Sequence, residues 1–305
     1  MEKVKHEKVK LLVTDIDNTV FDWVAYYANG FTALLQKLEA VIGVPFKQLA
    51  DESRVVFARH GSIEYPFVVQ ELPSVNAYFG DDIDRMLVLA VDQTREVFKE
   101  VSKPYLKPYE GVEDALKNLH HNHPELPIVA LTDAPRYVAM WKLNKLGLLH
   151  YFSAVYGLAD PRLPTSETQG RVKVDPRILL KHLQQNNFAF KGKIRILPDE
   201  YEKPGTRGLK TVLMDFELDE PTSARRNVLW VGDNLRKDVG LGRKLGVQTA
   251  WAEYVAVVPP VLLKKLHEFS PLDNVHKNAS IDAAHADSPK PDVVLNAFAD
   301  LTKYL

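Results

Sequence analysis

The 305-residue chain contains no cysteine. That excludes disulfides, a thiolate metal site and a thiol nucleophile. It also lacks a surplus of either charge, with 39 basic residues against 40 acidic ones and a formal net charge of −1. Such a balance gives no general electrostatic attraction to nucleic acid or an anionic membrane, and neither is expected as a partner. No apolar run is long enough to span a bilayer. The charged opening, residues 1–10, lacks the apolar core of a signal peptide. A soluble, cytoplasmic protein is the expectation, and its oligomeric state is not legible. What the chain does have is apolar material: 46% of its residues are hydrophobic, enough for one large domain or two ordinary ones.

That material is distributed in short apolar segments at 10–15, 127–132, 154–157, 227–232, 248–252 and 292–295, with a weaker one at 193–197. Helical patterns separate them. Strands alternating with helices predict an α/β fold built on a doubly wound, Rossmann-like parallel sheet. Residues 21–104 differ. Apolar positions there recur with helical spacing, as in Phe31, Leu34, Leu35, Leu38 and Ile42, and again in Met86, Leu89, Ala90, Val97 and Phe98. Only Phe67-Val68-Val69 reads ambiguously as a strand. The spacing predicts a helical subdomain inserted after the first strand, with Lys103-Pro104 and Lys107-Pro108 marking the return, since proline and its predecessor disfavour helix. The core then comprises 1–20 and 105–305. Two segments look added to it. The first, about 160–202, carries a short helix at 175–185. The second, 259–291, carries a helix near 261–269 and then the polar run 278–290, which reads as a surface loop.

Four features fall at strand ends, where ligands bind in parallel α/β sheets. The first is Asp15-Ile16-Asp17-Asn18-Thr19, closing the run Leu11-Leu12-Val13-Thr14. A buried strand should not end in unpaired carboxylates, so a cation, a nucleophile or both are implied. The second is Thr132, followed by Asp133-Ala134-Pro135. The third is Lys203-Pro204. The fourth is Val231-Gly232-Asp233, with Asp238 five residues on. Each residue type has a task if the ligand is a phosphoryl group on a metal. Mg²⁺ takes hard oxygen ligands, which Asp15, Asp233 and the Asp17 backbone carbonyl can supply. A carboxylate can attack phosphorus and split hydrolysis into two easier steps. A second acid can protonate the leaving oxygen and then activate water. Thr132 and nearby amides can hold phosphoryl oxygens, and Lys203 can offset the charge of the aspartate–phosphate pair.

Together these features resemble the haloacid dehalogenase-like (HAD) superfamily, in particular its phosphatase branch. Four motifs match in order, over about 9–157 and 202–254, and 292–301 looks like the family's closing strand and helix. The inserted helices sit where members with a helical C1-type cap, such as phosphoglycolate phosphatase-like proteins, carry theirs. The resemblance implies Asp15 as nucleophile, Asp17 as general acid/base, Thr132 as phosphate ligand and Lys203 as stabilising lysine. It implies Asp15, Asp17, Asp233 and Asp238 as the magnesium site. Asp238 would either reach metal-bound water or orient the lysine. The implied activity is Mg²⁺-dependent hydrolysis of a small phosphorylated metabolite through an aspartyl-phosphate. The rivals are a phosphomutase or a 2-haloacid dehalogenase of the same superfamily, and a non-catalytic binding module.

Several residues keep two readings. Asp133 stands where many relatives have asparagine, and is either a site acid or the N-cap of the following helix. Lys173 rivals Lys203. Arg59 and His60, with Arg54 nearby, could read an anionic substrate group or form a solvated helix face, and Arg136 is a further substrate-binding candidate. Asp22 reads as the cap of the first inserted helix. His120, His121 and His123 read as a helix end rather than a metal site. The glycines at 240, 242 and 246 suit packing better than a dinucleotide loop. Asn278-Ala279-Ser280 matches a glycosylation sequon with no meaning in the cytoplasm.

Overall fold

The computed structural model describes residues 8–159, 188–271 and 288–305. Lys173, the helix expected at 175–185, the sequon and most of the polar run at 278–290 lie outside them. Seven strands form one parallel sheet: β1 (Leu11–Thr14), β2 (Ile128–Pro135), β3 (Ala154–Leu158), β4 (Lys193–Leu197), β5 (Val228–Gly232), β6 (Gln248–Ala252) and β7 (Val293–Leu295). Their order is β4-β3-β2-β1-β5-β6-β7. The weak segment at 193–197 is thus a true strand, at the sheet edge.

β1 lies between β2 and β5, with Val13 level with Val129 on one side and Trp230 on the other. It is apolar throughout because both of its faces are covered. Leu11 and Val13 join a cluster with Leu209, Val212, Leu213 and Trp230, whereas Leu12 faces Ile128, Val155 and Leu229. The chain builds outward from β1 through β2, β3 and β4, then returns to place β5 on the opposite flank. The crevice opened by that reversal lies at the carboxyl ends of β1, β2 and β5.

Between β1 and the rest of the sheet stand the cap helices α1 (Trp23–Ile42), α2 (Phe46–His60), α3 (Val68–Glu71), α4 (Pro73–Phe79), α5 (Ile83–Met86) and α6 (Gln93–Ser102). α1 starts where expected, with the Asp22 carboxylate accepting the Ala25 amide at 2.8 Å. The ambiguous Phe67-Val68-Val69 run is no strand: Phe67 caps a short helix that starts at Val68, and both valines are buried. The outgoing and returning connections meet at an antiparallel bridge between Phe21 and Pro108. Two further helices follow the cap, α7 (Val112–Asn122) and α8 (Arg136–Lys145), and α8 starts directly at the end of β2.

The helix expected near 261–269 is present as Pro260–Phe269, but it does not sit apart from the cap. The Phe269 ring lies 4.6 Å from that of Phe31 in α1. Lys265 donates to Asn29 at 2.7 Å, and Arg54 of α2 donates to the carbonyls of His267 and Glu268. This helix straps the cap to the core. No helix among the described residues is long and apolar enough to cross a membrane.

Candidate active site

The Asp15-to-Thr19 stretch turns sharply as it leaves β1. Asn18 adopts a left-handed φ of 55°, a conformation asparagine tolerates better than most residues. Its side chain accepts the Val24 amide at 3.3 Å, which ties the turn to the start of α1. The turn leaves Asp15 at the strand end. There Lys203 Nζ stands 2.7 Å from Asp15 Oδ2 and 2.9 Å from Asp238 Oδ1. The other Asp238 oxygen accepts the Asn234 amide at 3.0 Å. This fold-back of Asp238 needs glycine at 232, since a Cβ there would lie 2.4 Å from Asp238 Cγ. The spacing of Gly232, Asp233 and Asp238 therefore has a steric reason as well as a chemical one.

Asp15, Asp233 and Asp238 each offer an oxygen, and the three oxygens lie within 4.8 Å of one another. Burial and the Asp238 charge push Asp15 from 3.8 up to about 7, against the pull of Lys203. Burial and the charges of Asp238 and Asp15 raise Asp233 well above the carboxylate range. Its carboxylate accepts no hydrogen bond among the described residues, while its backbone carbonyl accepts Trp251 Nε1 at 2.8 Å. Asp17 faces the crevice from the other side. Burial and Glu64 raise it to about 6, with Lys142 opposing.

Thr132 is buried in β2, and its Oγ accepts the Ala134 amide at 3.1 Å. Asp133 lines the crevice, and only its reading as a helix cap is corrected. β2 runs on to Pro135, because a residue preceding proline is held extended, so α8 starts only at Arg136, with Pro135 at its N-cap and no side-chain cap. Asp133 instead accepts the Lys203 backbone amide at 2.9 Å and pairs with Lys237. It locks the Lys203 loop to β2.

Arg136 is buried at the start of α8, and Arg59 and His60 end α2; none of the three lines the crevice. His60 Nε2 lies 2.9 Å from Glu71 Oε2, and Arg59 reaches the same oxygen at 3.3 Å. The His60 ring stacks on Tyr65 with centroids 3.7 Å apart, and Tyr65 donates to Glu71. These residues scaffold the loop 61–66 from behind. The loop itself lines a cavity of about 230 Å³ together with Asp15, Asp17, Thr132, Lys203 and Asp233. His120 packs against Tyr151, and Gly242 packs against β6, where a Cβ would meet Thr249 at 2.5 Å.

The family model for haloacid dehalogenase-like hydrolases matches residues 12–196, more than half of the chain. The chain belongs to this family. Among solved structures, 2-haloacid dehalogenase from Pseudomonas syringae pv. Tomato DC3000 aligns over 97% of both chains at 15% identity, with a TM-score of 0.50. A HAD phosphatase from Thermococcus onnurineus aligns over 97% of both chains at 16% identity and a TM-score of 0.49. L-2-haloacid dehalogenase from Xanthobacter autotrophicus does so at 17% identity and 0.45. At such identities the likeness concerns the fold, and the names span two chemistries. No curated protein matches the chain.

This HAD hydrolase also contains site residues that its motifs did not indicate. Lys142 of α8 pairs with Asp17, Glu64 of the cap loop pairs with Lys142, and Trp23 donates to Glu64. One signal was available: Lys142 falls in phase with Ala139 and Leu143, on the apolar face of α8, where a lysine needs buried partners.

Proposed function

We propose that this HAD hydrolase is a magnesium-dependent phosphatase that acts on a small phosphorylated metabolite through an aspartyl-phosphate on Asp15. The observation that carries the reading is the gathering of Asp15, Asp233 and Asp238, with the single amine of Lys203 paired to the first and last of them. One lysine cannot offset three carboxylates, and burial first, then the repulsion among them, raises Asp15 and Asp233. A hard divalent cation with oxygen ligands fits that donor set. Asp15 and Asp233 would hold it, with Asp238 beside them. When bound, it supplies positive charge that offsets the nucleophile and the phosphoryl oxygens.

The chain's own groups account for the rest. Lys203 favours the ionised form of Asp15, whose oxygen attacks phosphorus as the ester P–O bond breaks. Asp17 gives its proton to the departing oxygen. In the second step Asp17 takes a proton from the water that attacks the phosphoryl group, which frees inorganic phosphate and Asp15. An acid near 6 can serve in both directions at neutral pH. Thr132, near the end of β2, lines the crevice with Asp15, and its hydroxyl suits a phosphoryl oxygen. A dehalogenase has no leaving oxygen to protonate and needs no metal, so Asp17 and the acidic trio favour the phosphatase. The cavity of about 230 Å³, walled on the cap side by Trp23, Ile63 and Tyr65, favours a small substrate.

The test is a phosphate-release screen over sugar phosphates, nucleotides, phosphoglycolate and cofactor phosphates, with Mg²⁺ and with chelator, alongside a halide-release assay on 2-haloacids. Mg²⁺-dependent phosphate release is expected. Halide release without phosphate release, or full activity in chelator, would contradict the reading.

A further inference from the structure

Lys142 is among the largest fully buried side chains of the protein, with 1% of its surface exposed. Its Nζ lies 2.8 and 2.9 Å from the two oxygens of Asp17 and 2.7 Å from Glu64 Oε1. Glu64 Oε1 also accepts Trp23 Nε1 at 3.1 Å, and the Phe21 ring lies 5.8 Å from the amine. The contacts form one chain, from the cap loop through Glu64 and Lys142 to Asp17. Asp17 comes from the core turn and Glu64 from the cap, and both line the cavity.

Burying a lysine between two carboxylates carries a desolvation cost that an apolar side chain would avoid. The lysine does one thing that a methionine here could not: it grips the Asp17 carboxylate by both oxygens. A carboxylate has about four lone-pair sites, so this grip leaves each oxygen a lone pair for the crevice. We infer that Lys142 is a positioning residue that fixes the orientation of the Asp17 carboxylate, and that Glu64 makes this grip depend on the cap loop being seated over the site. The inference rests on the phosphatase reading, in which Asp17 is the proton donor.

Proton donation matters in proportion to how poor the leaving group is. An alkoxide needs the proton, whereas 4-nitrophenolate departs without it. The experiment compares kcat and KM for an alkyl phosphate and for 4-nitrophenyl phosphate, in wild type, Lys142→Met, Lys142→Arg, Glu64→Gln and Asp17→Asn, all with Mg²⁺. Lys142→Met should lower kcat on the alkyl ester about 10²-fold and on the aryl ester by no more than about 3-fold, as expected for loss of proton transfer, with KM held. Lys142→Arg should recover part of the alkyl rate. Glu64→Gln removes the charge that ties Lys142 to the cap loop, which loosens the grip on Asp17, and should show the same split in smaller measure. It decides the matter if Lys142→Met does not fold.

Equal losses on both esters would make Lys142 a structural residue and overturn the inference. A rise in KM at constant kcat would overturn it by making Lys142 a substrate ligand, and unchanged kinetics would also overturn it. Asp17→Asn separates the two levels. If it shows the split and the Lys142 and Glu64 variants do not, only the inference falls. If wild type cleaves neither ester, or Asp17→Asn shows no split, the phosphatase reading falls and takes the inference with it.

Discussion

Lys203 and Lys142 are both buried, and each bridges two carboxylates: Asp15 and Asp238 at the floor of the crevice, Asp17 and Glu64 at its roof. The surroundings differ in one respect. The floor holds a third acid, Asp233, whose carboxylate accepts no hydrogen bond among the described residues. The roof instead adds a donor, the Trp23 indole, to Glu64. The floor is therefore left with negative charge that calls for a cation, while the roof is closer to satisfied. Buried charge without a partner is costly, so the imbalance at the floor is where a ligand should bind, and the balance at the roof is where a side chain should be held still.

The sharpest way to break this comparison is Asp15→Asn. It should lower kcat by about 10⁴-fold or more, as loss of a nucleophile does, while circular dichroism and thermal unfolding show the fold intact. Substantial residual turnover would remove the floor from the chemistry. Next in size is the seam that carries the roof. Phe269→Ala, behind Phe31 and Tyr27, should cost about 3–5 kcal/mol in urea unfolding, the usual range for deleting a buried phenyl ring. A cost near zero would mean that the Pro260–Phe269 strap does not hold the cap.

The floor's charge imbalance should be visible as a pH dependence. Asp15 sits at about 7 and Asp17 at about 6 in the folded protein, against an ordinary 3.8. Groups raised in this way bind more protons folded than unfolded, so their stabilising contribution is complete below about pH 4 and is lost as pH rises through 6 and 7. Metal-free protein should thus be less stable in urea at pH 8 than at pH 5, by about 1–4 kcal/mol at roughly 1.4 kcal/mol per pKa unit. Mg²⁺ should restore stability at pH 8 in wild type but much less in Asp233→Asn, which should itself be the more stable of the two without metal. Stability that rises from pH 5 to pH 8 in chelator would contradict this picture of the floor. The smallest effect is expected at Arg59. It is about half exposed and pairs with the buried Glu71 behind the cap loop, which keeps His60 and Tyr65 as partners without it. Arg59→Ala should leave kcat/KM within about 2-fold across a substrate panel, since a half-exposed arginine contributes little to the pair. A larger loss would bring Arg59 to the substrate.

Floor and roof also differ in how legible they were. Asp15, Thr132 and Asp233 follow or close strands whose apolar runs mark them, and parallel pairing brings those strand ends together. The Lys203-Pro204 and Gly232-to-Asp238 spacings supplied the rest. At the roof, Asp17 comes with the Asp15 motif, but its partners Lys142 and Glu64 have no such local pattern. The Lys142–Asp17 contact spans 125 positions, and Glu64 lies in a loop whose course depends on how the cap helices pack. Asp133 misled because helix starts are local guesses: Ala134-Pro135 extends β2 and removes the turn that an N-cap needs. Arg59 and His60 sit next to the loop that lines the cavity, and sequence proximity could not tell which side of it they face. The Pro260–Phe269 helix was recognisable as a helix, but its apolar face carried no label saying that it packs on the cap.

The central claim is that Asp15 becomes covalently phosphorylated. The most direct measurement is rapid acid quench of the Mg²⁺-loaded protein during turnover of a good ester, followed by peptide mapping by mass spectrometry. The account predicts a phosphoryl group on the peptide containing Asp15, absent in Asp15→Asn. Active protein that carries no phosphoryl group at any quench time, or carries it on another residue, would contradict it.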